Sequence, residues 1–313
     1  MERLVIALGG NALQEAGAPA TAEAQLKVVE KTSGYIADII EKGYEVVIAH
    51  GNGPQVGRIV LQNESSANIT PAMPFDVCGA MSQGMIGYHI QQAMGKVLKE
   101  KGSKKPVATV VTQVVVDKDD PAFKNPSKPI GPFYSKEEAL KLKEEKGYDV
   151  KEDAGRGWRR VVASPVPIEI VELDAVKSLV ANGFLVVTVG GGGIPVIKNA
   201  QGNLEGTAAV IDKDLASERL AEDIDADALV ILTAVEKVYI NFGKADQKAL
   251  DTITTAEAEK YMEEGHFAPG SMLPKIKAAI QFAKSKPGRK AVISSLEKAM
   301  DALQGKTGTT IAD

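Results

Sequence analysis

The sequence predicts an α/β fold whose parallel strands present an anion site at their carboxyl ends. Three observations predict it. Short apolar runs of β type alternate with helical stretches along most of the 313 residues. Three of these runs lead straight into glycine-rich turns: residues 4–8 into Gly9-Gly10-Asn11, residues 45–49 into His50-Gly51-Asn52-Gly53-Pro54, and residues 184–189 into Gly190-Gly191-Gly192-Gly193-Ile194-Pro195. Glycine after a strand lets the backbone approach a ligand and offer bare N–H groups, and a following helix adds its positive end. The third observation is their number. One such turn is an ordinary tight turn, whereas several in one chain describe a site that surrounds a polyanion.

The elements follow in order. After the first turn, Leu26, Val29, Ser33, Ile36 and Ile40 recur at helical spacing, and Gly43 ends that helix before the second strand. Pro54 stands where the next helix begins, continued by Val56, Ile59, Val60 and Asn63. Residues 76–101 form another helical region, loosened by Gly79, Gly84 and Gly87, and Pro106 introduces a strand at 107–111. The alternation breaks near Asp117. Residues 117–167 hold 6 of the 15 prolines, a charged helix over 135–146 and the basic cluster Arg156, Arg159 and Arg160, so they read as an insertion that projects from the sheet. Alternation resumes with a strand at 168–171, a helix at 174–181 and the strand at 184–189. A hairpin around 199–203, a helix over 212–223, strands at 228–232 and 238–240, helices over 255–264 and 273–285, and a strand at 290–294 close the fold.

Composition narrows the function. A chain that is 44% hydrophobic and 25% charged supports a sizeable core and is not disordered. A net charge of −4 argues against nucleic acid as the main partner. No apolar stretch approaches the ~20 residues of a membrane span. The first apolar run is too short for a signal peptide, so a cytoplasmic protein without membrane contact is expected. The single cysteine, Cys78, excludes an internal disulfide, fits a reducing compartment and is expected to be packed. His50, His89 and His266 are scattered, so they read as structural and no zinc site is expected.

The chain has neither a G-x-x-x-x-G-K-[ST] loop nor a G-x-G-x-x-G after a strand, so phosphate binding must use another architecture. Most lysines are solvated surface charges. Three differ here. Lys128 is flanked by Pro126 and Pro129, Lys213 by Asp212 and Asp214 at a helix start, and Lys275 by Gly270 and Pro274 at another. A cation at the positive end of a helix is unfavourable unless an anion binds there. Asp214 reads either as a helix N-terminal charge or as a group that orients lysines and keeps them protonated. The asparagines of the first two turns add amide donors without charge, which suits a small oxyanion. No Ser/His/Asp or Cys/His set is apparent.

With these residues assembled, the chain resembles the carbamate kinases, a branch of the amino acid kinase superfamily, from end to end. The resemblance rests on Ala7-Leu8-Gly9-Gly10-Asn11-Ala12-Leu13, Ala49-His50-Gly51-Asn52-Gly53-Pro54-Gln55-Val56-Gly57, Gly190-Gly191-Gly192-Gly193-Ile194-Pro195-Val196, Val210-Ile211-Asp212-Lys213-Asp214 and Phe267-Ala268-Pro269-Gly270-Ser271-Met272. The segments Lys128-Pro129-Ile130-Gly131-Pro132-Phe133-Tyr134 and Gly157-Trp158-Arg159-Arg160-Val161-Val162-Ala163-Ser164-Pro165 are similar to the insertion of that branch.

The resemblance implies an αβα sandwich with an open, mainly parallel sheet of about eight strands, a small protruding subdomain at 117–167, and a homodimer. It implies the reaction ATP + carbamate ⇌ ADP + carbamoyl phosphate with Mg²⁺, run toward ATP in arginine, agmatine or purine fermentation. Residues 1–183 would supply the carbamate and phosphoryl lobe, and residues 184–313 the nucleotide lobe. Gly9, Gly10, Asn11, Gly51, Asn52, Gly53, Gly191 and Gly192 would bind carbamate and the moving phosphoryl group. Lys128 would reach over from the insertion. Lys213 and Lys275 would hold nucleotide phosphates, Asp214 would orient them, and Ala234, Val238, Tyr239 and Met272 would line the adenosine pocket. No protein metal ligand is expected, because nucleotide phosphates would hold the Mg²⁺. The rivals are another superfamily phosphotransferase with a carboxylate or phosphate acceptor, and a non-catalytic nucleotide-binding regulator on the same fold.

Overall fold

The first strand, β1 (Arg3–Leu8), is apolar from Leu4 onward because both of its faces are covered, as expected of a central parallel strand. The computed structural model describes residues 1–15, 17–153 and 155–313. From β1 the chain passes through α1 (Ala22–Glu41), β2 (Glu45–His50), α2 (Gly53–Ser65), α3 (Phe75–Glu100), β3 (Val107–Thr109) and β4 (Gln113–Val115). The insertion contains β5 (Lys128–Tyr134), α4 (Lys136–Lys146), β6 (Val150–Glu152) and β7 (Trp158–Val162). Next come β8 (Glu169–Ile170), α5 (Leu173–Ala181), β9 (Leu185–Val187), β10 (Ile194–Lys198), β11 (Leu204–Gly206), α6 (Lys213–Asp223) and β12 (Ala228–Thr233). The last part holds β13 (Val238–Ile240), β14 (Lys248–Leu250), β15 (Thr252–Ile253), α7 (Thr255–Glu263), α8 (Met272–Ser285), β16 (Lys290–Ser295), α9 (Ala299–Leu303) and β17 (Thr309–Ala312).

Eight strands form one sheet in the order β15-β17-β16-β12-β1-β2-β9-β3. Every pairing from β16 to β3 is parallel, and β17 runs antiparallel to β16. Alternate residues of the central strands face opposite layers. Val5 and Ala7 pack with α5, α6 and α8, while Leu4, Ile6 and Leu8 pack with α1, α3 and α9. The expected αβα sandwich is therefore present. No helix among the described residues is long and apolar enough to cross a membrane.

Three strands depart from the sequence reading. The strand expected at 168–171 does not rejoin the main sheet: β8 pairs antiparallel with β4 in a second sheet, β11-β10-β4-β8. Residues 238–240 form a two-stranded ribbon with β14 instead of a sheet strand. The strand expected over 107–111 stops at Thr109, because β3 and β9 leave the main sheet side by side and continue as the parallel pair β4 and β10. Thr112 holds this bend: its hydroxyl lies 2.8 Å from that of Thr188 and accepts from the Val189 amide at 3.2 Å. Val189, a β-branched residue at φ 43°, is strained there. The closing strand β17 escaped the sequence reading, because only Ile311 and Ala312 mark it as apolar.

The insertion is a three-stranded antiparallel sheet, β5-β7-β6, with α4 beside it. Ser135 and Glu138 form a reciprocal cap at the start of α4, and Gly147 ends it at φ 67°. The insertion docks on α2 where two glycines cross. A Cβ on Gly57 would lie 2.1 Å from the Gly131 Cα, so no side chain fits between the two backbones. Ile130 is buried beside Val162 and Val210. Glu64 of α2 accepts from Lys146 at 2.7 Å and from the Tyr148 hydroxyl, and lies 3.5 Å from Arg160.

Candidate active site

A cavity of about 670 Å³ opens at the carboxyl ends of β1, β2, β12 and β16. This is where an open parallel sheet binds its ligands. Four cationic side chains, Lys128, Arg156, Lys213 and Lys275, meet three carboxylates there, Asp212, Asp214 and Glu297.

The charged cluster is built from the start of α6. The Asp212 carboxylate caps the helix by accepting from the Asp214 amide at 2.9 Å, which leaves its second oxygen for Lys128 Nζ at 2.5 Å. Asp214, 2% exposed, accepts from Lys213 with one oxygen and from Lys275, on the first turn of α8, with the other at 2.8 Å. Burial alone would raise the Asp214 pKa, but the two ammonium groups outweigh it and hold the carboxyl well below the usual carboxylate range. Lys213 is shifted down, first by burial and then by Lys275, with Asp214 opposing both.

The glycine turns divide into two kinds. Among the described residues, the backbone amides of Gly10, Asn11, Asn52, Gly53 and Gly191 have no partner within the protein. All five residues line the cavity. The Gly51 amide is committed to the Leu8 carbonyl at 3.1 Å. Other glycines are required by packing. A Cβ on Gly9 would lie 2.9 Å from the Leu232 carbonyl, and one on Gly192 would lie 2.3 Å from that of Ile211. The Asn52 side chain, expected to face an oxyanion, turns inward and donates to the Ser82 hydroxyl at 2.8 Å. Gly191 lies against it so closely that a Cβ would come within 2.2 Å of its amide nitrogen.

Beneath these loops His50 is fully buried, with Nδ1 2.9 Å from the Gly51 carbonyl. Burial lowers its pKa to about 4, with the Gly51 carbonyl opposing and Lys213 adding to the fall. The ring is therefore neutral, and Nδ1–H donates.

Lys128, Lys213, Asp214, Lys275, Gly9, Gly10, Asn11, Gly51, Asn52, Gly53, Gly191 and Ala234 all line the cavity. Gly192, Val238, Tyr239 and Met272 do not. Val238 is wholly buried, and its amide donates to the Thr309 hydroxyl at 2.8 Å. Tyr239 is half-buried against Phe242, and Met272 packs against the core beneath α8. The sequence reading assigned no role to Asp212, Gln55 or Ser271, although each stands in a quoted motif. Asp212 opens the helix expected over 212–223, whereas in the structure it is the cap that precedes Lys213. Its bond to Lys128 spans 84 positions and left no local trace.

The amino acid kinase family model matches residues 2–295. Carbamate kinase of Clostridium perfringens is 55% identical over 312 residues, covering 99% of each chain. Carbamate kinase of Pyrococcus horikoshii is 54% identical with the same coverage. The structure of carbamate kinase from Giardia lamblia bound to AMP-PNP superposes with a TM-score of 0.92 at 46% identity, covering 99% of this chain and 98% of that one. An αβα sheet with this insertion, a doubly paired Asp214 at its carboxyl edge and full-length identity above one half together place the chain in the amino acid kinase family, among the carbamate kinases.

Proposed function

We propose that this protein transfers a phosphoryl group reversibly between ATP and carbamate, giving ADP and carbamoyl phosphate. The observation that carries this reading is the convergence of Lys213 and Lys275 on one buried carboxylate, beside uncommitted amides from three strand-end loops. The site can bring two anions together without a base. Carbamate is already an anion, so its oxygen bonds to the γ-phosphorus while the bond to the β–γ bridging oxygen breaks, and ADP leaves with that electron pair. No proton moves. The protein's work is alignment and neutralisation of charge on the transferred group.

In this reading Gly10, Asn11, Asn52, Gly53 and Gly191 cradle carbamate and the moving phosphoryl group through backbone N–H donors. Lys213 and Lys275 turn from Asp214 to the nucleotide phosphates, and Asp214 keeps both ammonium groups charged and aimed. Lys128 closes the acceptor side. Ala234, Tyr239 and Met272 border the adenosine, with Val238 supporting them from the core. Residues 1–183 thus bring the acceptor, and residues 184–313 the nucleotide. Among the described residues no group of three or more His, Cys, Asp or Glu could cage a metal, and Asp212 and Asp214 are already tied to lysines. This donor set fits a Mg²⁺ ion carried by nucleotide phosphates and water, where it neutralises phosphate charge.

The test is ATP formation from ADP and carbamoyl phosphate with Mg²⁺, beside acetyl phosphate and glutamyl phosphate. Saturable turnover confined to carbamoyl phosphate supports the reading. Comparable turnover with glutamyl phosphate refutes it.

The active unit is a cytoplasmic homodimer. Support comes from α3, where Val77, Met81 and Tyr88 are exposed along one helix face, and from exposed Val111 just past edge strand β3. An apolar stripe beside an open sheet edge is the surface a second copy would cover. Sedimentation should show a dimer that Met81→Glu with Tyr88→Glu converts to a monomer.

A further inference from the structure

We infer that Gln55 is the residue that selects the amino group of the carbamoyl substrate, through its side-chain carbonyl. The inference rests on the functional reading above and deepens it.

Gln55 lies on the first turn of α2, just beyond the Asn52-Gly53 loop. It is 1% exposed and lines the cavity. Its Oε1 is buried without a hydrogen-bond partner among the described residues. The other buried side-chain atoms in that state belong to His50, Arg58, Thr109 and Arg289, none of which lines the cavity. A buried amide oxygen left unpaired in a protein interior is destabilising. That cost is recovered when a ligand supplies the missing partner.

The chemistry of the wall identifies the partner. The loops around Gln55 offer donors: the uncommitted amides of Gly10, Asn11, Asn52 and Gly53, and the ammonium groups of Lys128 and Lys213. The carboxylates of Asp212 and Asp214 are engaged by lysines, and that of Glu297 lies 3.6 Å from Lys31. Donors satisfy the carboxylate oxygens and the phosphoryl group. They cannot satisfy the –NH₂ group, which brings two N–H donors and needs an acceptor. Gln55, a residue of the cavity lining, carries a buried amide carbonyl that no donor engages among the described residues. A half-turn about its last side-chain bond exchanges the two ends of the amide, so the carbonyl can face the substrate. An acyl group with methyl in place of amino would leave that carbonyl unpaired, and a site built on a hydrogen bond rejects such an analogue strongly.

The experiment measures ATP formation by full-length native protein and by Gln55→Leu, with carbamoyl phosphate and with high concentrations of acetyl phosphate. We expect kcat/KM for carbamoyl phosphate to fall about 10- to 100-fold in the variant, in line with loss of one buried bond. The KM for ADP should stay within twofold. The preference for carbamoyl over acetyl phosphate should shrink by a similar factor. Gln55→Met, unbranched and of similar length, repeats the measurement if leucine disturbs the fold. Parallel loss with both substrates, or carbamoyl phosphate efficiency within twofold of native, overturns the inference while the functional reading stands. A native protein that forms no ATP from carbamoyl phosphate overturns both.

Discussion

Two lysine–aspartate arrangements meet in one cavity, and they are built differently. Lys213, Asp214 and Lys275 belong to α6 and α8, two helices packed on the main sheet, and each side chain is buried or nearly so. Lys128 and Asp212 join the inserted subdomain to the core, and the Lys128 side chain keeps 30% of its exposure. The first arrangement is part of the scaffold. The second exists only while the insertion is seated. In the proposed reading, charge on the nucleotide phosphates is met by a fixed device, whereas charge on the acceptor side is met by one that a separate subdomain delivers. A buried pair is also harder to disturb without damage, since removing one member leaves the other charged and unpaired. In the second pair Asp212 is buried but Lys128 stays partly solvated, so that pair contributes less to stability.

The largest expected effect separates chemistry from binding at the fixed device. Lys213→Ala or Lys275→Ala should lower kcat by about 100-fold or more, the scale of losing one preorganised electrostatic donor. Steady-state rates near the native value in either variant would remove that lysine from the mechanism. Asp214→Ala should also lower the unfolding free energy from denaturant titration by about 3–5 kcal/mol, because two buried ammonium groups lose their counter-ion.

At the delivered device, Lys128→Ala should lower kcat/KM for carbamoyl phosphate by about tenfold or more while the unfolding free energy changes by less than about 1 kcal/mol. A stability loss equal to that of Asp214→Ala would erase the distinction between the two. Amide exchange over residues 128–162 should also slow when ADP and a carbamoyl phosphate analogue bind together. Unchanged exchange would make the insertion a static wall.

The seating of the insertion can be altered without touching a charge. Gly57→Ala places a methyl group against the Gly131 backbone, and overpacking of this kind costs about 1–3 kcal/mol. The variant should mimic Lys128→Ala in rate and leave ADP affinity unaltered. Native turnover would show that Lys128 reaches the site without this crossing.

The effect with no expected change in turnover at neutral pH concerns His50, under the fixed device. Its pKa falls from 6.5 to about 4 on folding, so between these values the unfolded chain binds a proton that the native protein does not. Stability from this group is present above pH 6.5 and is lost as pH falls toward 4, for a total of about 3 kcal/mol. Urea unfolding of His50→Asn should lose this part of the acid dependence. An identical slope in native protein and variant would show that His50 does not titrate in this window.

Much of the site is legible in the sequence. The helix starts read near 212 and 273, the strand-end glycines and the proline-flanked Lys128 are local signals, because caps and turns act over a few residues. The adenosine border is less legible. Val238 and Tyr239 read as a sheet strand from their β-branched and aromatic character, yet they form a ribbon with β14 whose partner strand carries little pattern.

The sequence by itself determined the alternation of buried parallel strands with helices, the insertion, and the placing of lysines and bare amides at strand and helix ends. Each follows from side-chain period or backbone conformation within a short window. Only the tertiary structure decided which of these groups meet. Asp214 joins Lys275 across 61 positions, Asp212 joins Lys128 across 84, and Asn52 turns to Ser82 while its backbone N–H stays uncommitted. The physical reason is that such pairings depend on strand order and on how closely two backbones pass. Close approach is set where the Gly57 and Gly131 backbones cross and where Gly191 makes room for the Asn52 side chain, by residues far apart in the chain.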